Sequence, residues 1–536
     1  MSGSLRAGPY PGNRMRVHGC QSRKTLTDWN PMQLSIEHGE LREHACDLLI
    51  LNLFKGVMKP GGATGAVDEA LDGLISKLIK QERFEGNLGE TLCFHTYGYL
   101  PAKKVCVLGL GEQKSFKKDT LRKVGGYVVK IAKEQKVTSV STVLHGAGIA
   151  RMDATVAAQA LGEGMLLASY EFREHFGKGT NSKKHRRVDA VTIVEMDGKT
   201  VKAAHAGLEK ASLLSEATAL TRDLVNTSPR QMKPDDLAQS AKALAKRGNP
   251  IACKILDAQA MERMGMGAAL AVAEGSVHPP KLIHLSYTPK KKAKKKIAVV
   301  GKGVTFDSGG LSLKPADAMT QMKIDMGGAA TVLGLFRALE ELELPIEVHG
   351  IVIAVENMPS GGAYRPGDVV RAMNGMTIEI LNTDAEGRVT LADALSYTVK
   401  KVKPDEIVDL ATLTGAVIIA LGDDYAGLMS NNRTLAKSLV TAAKEAGELV
   451  WELPLAPQYD EAMKSKVADM NNTGGRSAGS IKAGLFLQRF VDKTPWAHLD
   501  IAGPVFCEKE TRPDIPYGGT GMGVRTLVQY LEHAVS

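Results

Sequence analysis

The feature that most constrains this chain is a rhythm in its apolar residues. Short runs of strand length, each ended by turn formers, alternate with longer stretches of helical spacing. Asp47–Phe54, Lys104–Gly111, Lys281–Tyr287, Lys296–Gly301, Ile346–Val355, Thr377–Leu381 and Glu406–Thr412 read as strands. Val67–Gln81, Asp119–Glu134 and Val201–Arg222 read as helices, and Val332, Leu335, Phe336, Leu339 and Leu342 mark one face of another. Such alternation predicts an α/β fold, its sheet covered by helices on both faces. At 536 residues the chain exceeds one core, since domains run to about 100–200 residues. Asn226-Thr-Ser-Pro229 stops the third helix, and the boundary is expected between residues 200 and 220. The expected division is a tail at 1–29, an N-terminal α/β domain at 30–205, a linker helix at 206–220 and a second domain at 221–536.

Composition excludes several classes. Hydrophobic residues make up 44% and charged residues 24%, which is globular and leaves no room for wholesale disorder. Ala416–Leu421, six residues long, is among the longest apolar runs, and a membrane helix needs about 20. Of the net charge of +9, residues 1–28 supply +4 and the run KKKAKKK at 290–296 supplies +6. The folded body is therefore near neutral, and the basic balance is poor support for nucleic acid. KKKAKKK is expected to be a solvated hairpin loop between two strands, and Gly177–Arg187 a loop. Residues 1–28 lack the apolar core of a secretory signal. They are basic, as in a mitochondrial presequence, but Pro9, Pro11 and four glycines favour a disordered tail. The six cysteines form no CxxC pair and are expected to be reduced thiols.

Ligands in α/β sheets bind beyond the carboxyl ends of strands. After the run ending at Gly301 come Lys302, Asp307 and Lys314 among glycines; then Asp325, before Gly327-Gly328; then Asp384, Glu386 and Arg388 after Leu381. Four carboxylates converging would repel unless cations lay between them. Two divalent ions would balance the four charges and leave Lys314 and Arg388 for developing charge. Two readings stay open here: a carboxylate metal site, or surface acids at helix N-termini. A nucleotide phosphate loop is rejected, because Gly303 follows Lys302 and Lys296 stands where the first glycine belongs. Gly109 and Gly111 lack the third glycine of a dinucleotide fingerprint and read as a turn. HExxH is absent, and none of the 13 histidines falls in the three segments. His284 and His349 read as packed strand residues.

Asn382–Arg388 (NTDAEGR) resembles the signature of the cytosolic leucyl aminopeptidase family of two-metal peptidases. Val300–Leu311 (VGKGVTFDSGGL) and Met322–Ala330 (MKIDMGGAA) resemble its other metal segments. Arg222–Thr227, Asp409–Ala416 and Pro495–Gly503 add further matches in the family's order. The resemblance implies two domains, a smaller N-terminal α/β domain and a C-terminal catalytic domain with a mixed sheet flanked by helices. It implies that Asp307 and Glu386 bridge two metals, that Asp384 completes one, and that Lys302 with Asp325 completes the other. Lys302 would then bind as a neutral amine. Lys314 and Arg388 take the catalytic roles, with a bicarbonate ion at Arg388. The pocket for the first side chain maps to Met322, Thr412, Gly415 and Ala502; Val505 stands where the family has a methionine.

The implied reaction is hydrolysis of the N-terminal residue, leucine or another apolar one, from short peptides. Zinc or manganese is the implied metal, with magnesium or cobalt as alternatives. A cytoplasmic homohexamer is implied, with no membrane association; a mitochondrial location is the alternative. Two competing functions stand beside it: a DNA-binding or scaffolding role on the same fold, and a cysteinylglycine-type dipeptidase.

Overall fold

The computed structural model describes residue 29 and residues 31–147, 152–177, 187–246 and 250–535. The tail expected at 1–28 and nearly all of the loop expected at 177–187 lie outside the described residues. The chain divides into two compact units: residues 30–215 with 511–516, and residues 216–510 with 517–536. The division falls inside one continuous helix, Gly198–Asn226.

The first unit holds β1 (Gln33–His38), β2 (Leu48–Leu53), β3 (Thr91–His95), β4 (Lys104–Gly109), β5 (Ser139–Val143) and β6 (Ala190–Glu195). They form one sheet in the order β1-β6-β5-β2-β4-β3, parallel except for β3. β2 reads LLILNL and is buried at five of six positions, as a central strand covered on both faces must be. The helices Lys118–Glu134 and Ala154–Ala168 touch backbone to backbone. A Cβ on Gly164 would lie 1.9 Å from the Arg122 carbonyl oxygen. Of the two glycines read as a turn, Gly109 instead ends β4, where a Cβ would lie 2.1 Å from the Asn87 oxygen, and Gly111 follows the strand with φ of 73°.

Two expectations fail in this unit. Val67–Gln81 is not one helix but two, Gly62–Ala70 and Leu74–Gln81. Asp72 and Gly73 between them take φ of 52° and 74°, a left-handed break that apolar spacing does not register. Nor are all the cysteines thiols: Cys93 and Cys106 form a disulfide. The antiparallel register sets them directly opposite on β3 and β4, a pairing that follows from strand order rather than a short sequence motif.

The second unit continues with β7 (Ile251–Leu256), β8 (Lys281–Tyr287), β9 (Lys296–Asp307), β10 (Glu347–Asn357), β11 (Val369–Arg371), β12 (Thr377–Glu379), β13 (Glu406–Ala411), β14 (Tyr425–Ser430), β15 (Leu449–Glu452), β16 (Met470–Asn471) and β17 (Trp496–Asp500). Eight of these make a mixed sheet in the order β15-β14-β17-β13-β9-β10-β8-β7. Helices cover both faces. Ile351, Ile353 and Val355 pack with Val389 and Leu395 of the helix Glu386–Tyr397. Gly350, pointing the other way, faces Val332 and Phe336 of the helix Gly327–Leu342. β11, β12 and β16 form a small separate sheet, so the run at Thr377–Leu381 does not join the main one.

KKKAKKK is not a hairpin loop, because β10 lies between β8 and β9 in the sheet. The segment crosses over that strand. Lys290, Lys295 and Lys296 pair with Glu343, Glu406 and Glu347, and Lys294 donates to the Val535 carbonyl. His284 and His349 are half-buried and hydrogen-bonded to each other at 2.9 Å. No helix among the described residues is long and apolar enough to cross a membrane.

Candidate active site

The strand expected to end at Gly301 runs on to Asp307, so Lys302 lies within β9. Glycine makes this possible. A Cβ on Gly328 would lie 2.0 Å from the Leu410 oxygen and 2.8 Å from the Lys302 nitrogen, so the helix Gly327–Leu342 starts against the strands. On the opposite side, a Cβ on Gly387 would lie 2.5 Å from Lys302 Cε. The Lys302 side chain is therefore clamped under the first turn of the helix Glu386–Tyr397.

Each carboxylate comes from a strand or helix end. Asp307 closes β9 opposite Asn357, the last residue of β10. Its Oδ1 accepts from Asn357 Nδ2 and from the Gly309 N–H, both at 2.8 Å. Asp325 stands in the turn Met322–Met326 and accepts the Thr412 hydroxyl at 2.7 Å. Asp384 lies in the loop after β12, and Glu386 opens the following helix. Thr383 joins two loops: it takes the Ser312 N–H at 2.8 Å and donates to the Gly309 carbonyl at 2.6 Å. Tyr364 and Asn357 both donate to the Thr383 carbonyl, at 2.9 Å each.

Six of the seven expected catalytic and metal residues meet in ion pairs. Lys302 Nζ lies 2.7 Å from Asp325 and 2.8 Å from Glu386. Lys314 Nζ lies 2.9 Å from Asp307 and 2.5 Å from Asp384. One ligand oxygen each from Asp307, Asp384 and Glu386 falls within 4.8 Å of the others. Asp307, Asp325 and Glu386 are buried, so they are not surface acids at helix ends.

The electrostatics of the cluster are dominated by burial and by the crowding of its acids. Burial raises the carboxyl pKa values of Asp307 and Asp325, and the charge of Glu386 raises both further. Burial opposes the Lys302 ammonium, but Asp325, Glu386 and Asp307 outweigh it and raise its pKa. Lys314 is raised in the same way by Asp307, Glu386 and Asp384. Among the described residues, Asp325 Oδ2 and Glu386 Oε2 are buried with no hydrogen-bond donor. Carboxylates that repel one another, with bare buried oxygens and an amine among them, fit divalent cations.

The seventh residue, Arg388, is buried without an ion-pair partner among the described residues, and its Nε has no acceptor. Burial pulls its pKa down to about 10. Two of the four residues expected to line the pocket adjoin Asp325. Met322 shares its turn, and Thr412 bonds to it. Asp500 organises the remainder. It accepts from Leu413 N–H at 3.0 Å, Ala502 N–H at 3.3 Å and the Thr414 hydroxyl at 2.7 Å. Gly415 is exposed, with open space where a Cβ would stand. Val505 is buried, and a Cβ on Gly327 would lie 2.4 Å from its methyl. Sequence reading missed Asn357, Thr383 and Asp500 as supports. Thr383 sits inside the quoted Asn382–Arg388 segment and Asp500 inside Pro495–Gly503, which are the signals that could have found them; Asn357 lies in no quoted segment.

The catalytic-domain model of the cytosol aminopeptidase family matches residues 219–528, and the family's N-terminal domain matches residues 50–175. The chain belongs to the cytosol aminopeptidase family. It is a metallo-aminopeptidase, and its substrates are peptides. It is 44% identical over 495 residues to the "Probable cytosol aminopeptidase" of Gloeobacter violaceus, covering 90% of this chain and 96% of that one. The namesake from Thermosynechococcus vestitus is 44% identical over 503 residues, covering 93% and 99%. Among solved structures, a mutant tomato leucine aminopeptidase matches with a TM-score of 0.84 at 35% identity, over 94% of this chain and 97% of that one. The bottromycin maturation enzyme BotP in complex with Mn matches with a TM-score of 0.80 at 34% identity, over 92% and 100%.

Proposed function

We propose that this aminopeptidase removes leucine or another apolar N-terminal residue from short peptides. Lys302, Asp307, Asp325, Asp384 and Glu386 would hold two divalent ions, zinc or manganese, with magnesium or cobalt as substitutes. The observation that carries the reading is the buried carboxylate set with bare oxygens around two lysines. Bound there, divalent ions supply a Lewis acid and a water acidic enough to attack at neutral pH.

The chain's own residues do the remaining work. Lys314, on the loop after β9, holds a positive charge where the carbonyl oxygen gains negative charge, so it stabilises the transition state more than the ground state. Arg388 is a buried cation with an unused donor, which suits a small anion; bicarbonate is our assignment. Met322, Thr412, Gly415 and Ala502 would receive the first side chain. Asp500 fixes that wall through two backbone N–H groups, of Leu413 and Ala502, and the Thr414 hydroxyl. Val505, where the family has a methionine, would bring a β-branched residue to that apolar pocket. We assign residues 221–536 to catalysis, a homohexamer as the assembly and the cytoplasm as the location, in keeping with the name the relatives carry.

Chelation followed by reconstitution tests the reading. Activity on a leucyl amide should vanish with the metals and return with manganese, cobalt or zinc. Full turnover by metal-free protein would overturn it. A panel of aminoacyl amides tests the preference, with leucine and methionine expected ahead of charged residues.

A further inference from the structure

A short segment held at both ends carries an inference that rests on the peptidase reading. Asn472 holds one end. Its Oδ1 accepts from the N–H groups of Leu381 and Asn382 at 2.9 and 3.3 Å, and its Nδ2 donates to the Asn382 carbonyl at 2.7 Å. Ser480 holds the other end, its hydroxyl 2.9 Å from that of Thr414. Residues 473–479 therefore bridge the loop that carries Asp384 and Glu386 to the segment that carries Thr412 and Gly415. At the far end of this bridge Gly479 stands beside Ala416, where a Cβ would lie 3.0 Å from the Ala416 Cβ, next to the expected pocket residue Gly415.

Within the bridge, Gly474 and Gly475 take φ of 67° and 81°. Two successive carbonyls are thereby offered to one donor. That donor is Lys482, on the helix Gly479–Gln488 and only 1% exposed. Its Nζ donates to the Gly474 carbonyl and, at 3.0 Å, to the Gly475 carbonyl. Its stem lies against Gly474, where a Cβ would stand 2.9 Å from Lys482 Cδ. An ammonium buried without a carboxylate is costly unless fixed acceptors meet it. Here the acceptors exist only while the glycines keep this conformation, so lysine and bridge hold each other in place.

We propose that Lys482 is a positioning residue that holds segment 473–479 as a rigid wall against which the bound peptide is seated. The wall acts on binding rather than on bond breaking, because it bears none of the charged groups of the reaction.

The test uses metal-loaded Lys482→Met and Lys482→Arg proteins with a leucyl dipeptide and tripeptide. Lys482→Met should raise KM about tenfold while kcat stays within about twofold, the signature of lost uniform binding. Lys482→Arg keeps two donors for the two carbonyls and should stay within about threefold of the original KM. Trypsin supplies a second readout, since Arg476 is exposed at the middle of the bridge. Cleavage after Arg476, well below the melting temperature, should be at least about tenfold faster in Lys482→Met, because local opening sets the rate. Unchanged KM with unchanged cleavage would overturn the proposal, as would a fall in kcat at constant KM. Should the unaltered protein fail to hydrolyse leucyl peptides, the peptidase reading falls, while the trypsin comparison still decides the role of Lys482.

Discussion

Gly387 illustrates how the site depends on single atoms. It lies between two carboxylate-bearing or basic neighbours, yet its contribution is the missing Cβ that leaves room for the Lys302 stem. Gly387→Ala should push Lys302 Nζ away from Asp325 and Glu386. We expect a loss of at least about tenfold in kcat/KM and weaker metal retention, with the melting temperature lowered only modestly. Metal analysis and kinetics on the same sample check this; unchanged metal content and rate would refute it. Asp307 and Lys314 separate holding from reacting. Asp307→Asn removes a ligand charge, so metal content and activity should fall together. Lys314→Ala should keep its metals and lose kcat by about a hundredfold or more, as for other lost oxyanion contacts. A rise in KM alone would show that Lys314 serves binding. The charged residues of the site were legible because acids and lysines crowded among glycines are unusual in strand-adjacent loops. Asn357 was not, since it joins Asp307 across 50 positions of sequence through strand pairing.

At the scale of elements, apolar rhythm located seven of the seventeen strands β1–β17, and not which strands pair with which. β9 outran its expected end because Lys302 and the glycines beside it look like a loop when read without the helices that cover them. The basic segment at 290–296 was misread for a related reason. Adjacent strands in sequence suggest a hairpin, whereas β10 enters between them. Its lysines are largely committed to partial neutralisation by Glu343, Glu347 and Glu406. Replacing the exposed Lys290, Lys291 and Lys292 by serine should therefore leave kcat/KM within about twofold, and stability within about 1 kcal/mol, as exposed ion pairs contribute little. The same kinetics and a denaturant titration decide it. A large loss of activity at unaltered stability would give the segment a role in the site.

For the whole molecule, two histidines tie stability to acidity. Burial pushes the His145 pKa down to about 3. Burial, with the charges of His349 and Lys254, pushes His284 down to about 4. Both stay neutral in the native state, whereas an unfolded histidine protonates near pH 6.5. Their stabilising effect is thus complete above about pH 6.5 and is lost as pH falls from there toward each native value, by up to about 1.4 kcal/mol per unit and group. Denaturation midpoints at pH 7 and 5 should show a decline that His145→Gln makes shallower; an identical slope in that variant would contradict it. Function at this scale rests on one proposal, that the metal site recognises a free amino terminus. The most direct test is kcat/KM for a leucyl amide and its N-acetyl form under the same metal conditions. Acetylation delocalises the amine lone pair into an amide and adds bulk where the metals would be held, so orientation would be lost, and orientation alone is worth up to about 7–11 kcal/mol. The account predicts that the acetylated form is cleaved at least about a thousandfold more slowly. Comparable values for the two substrates would contradict it and make the protein an endopeptidase or amidase.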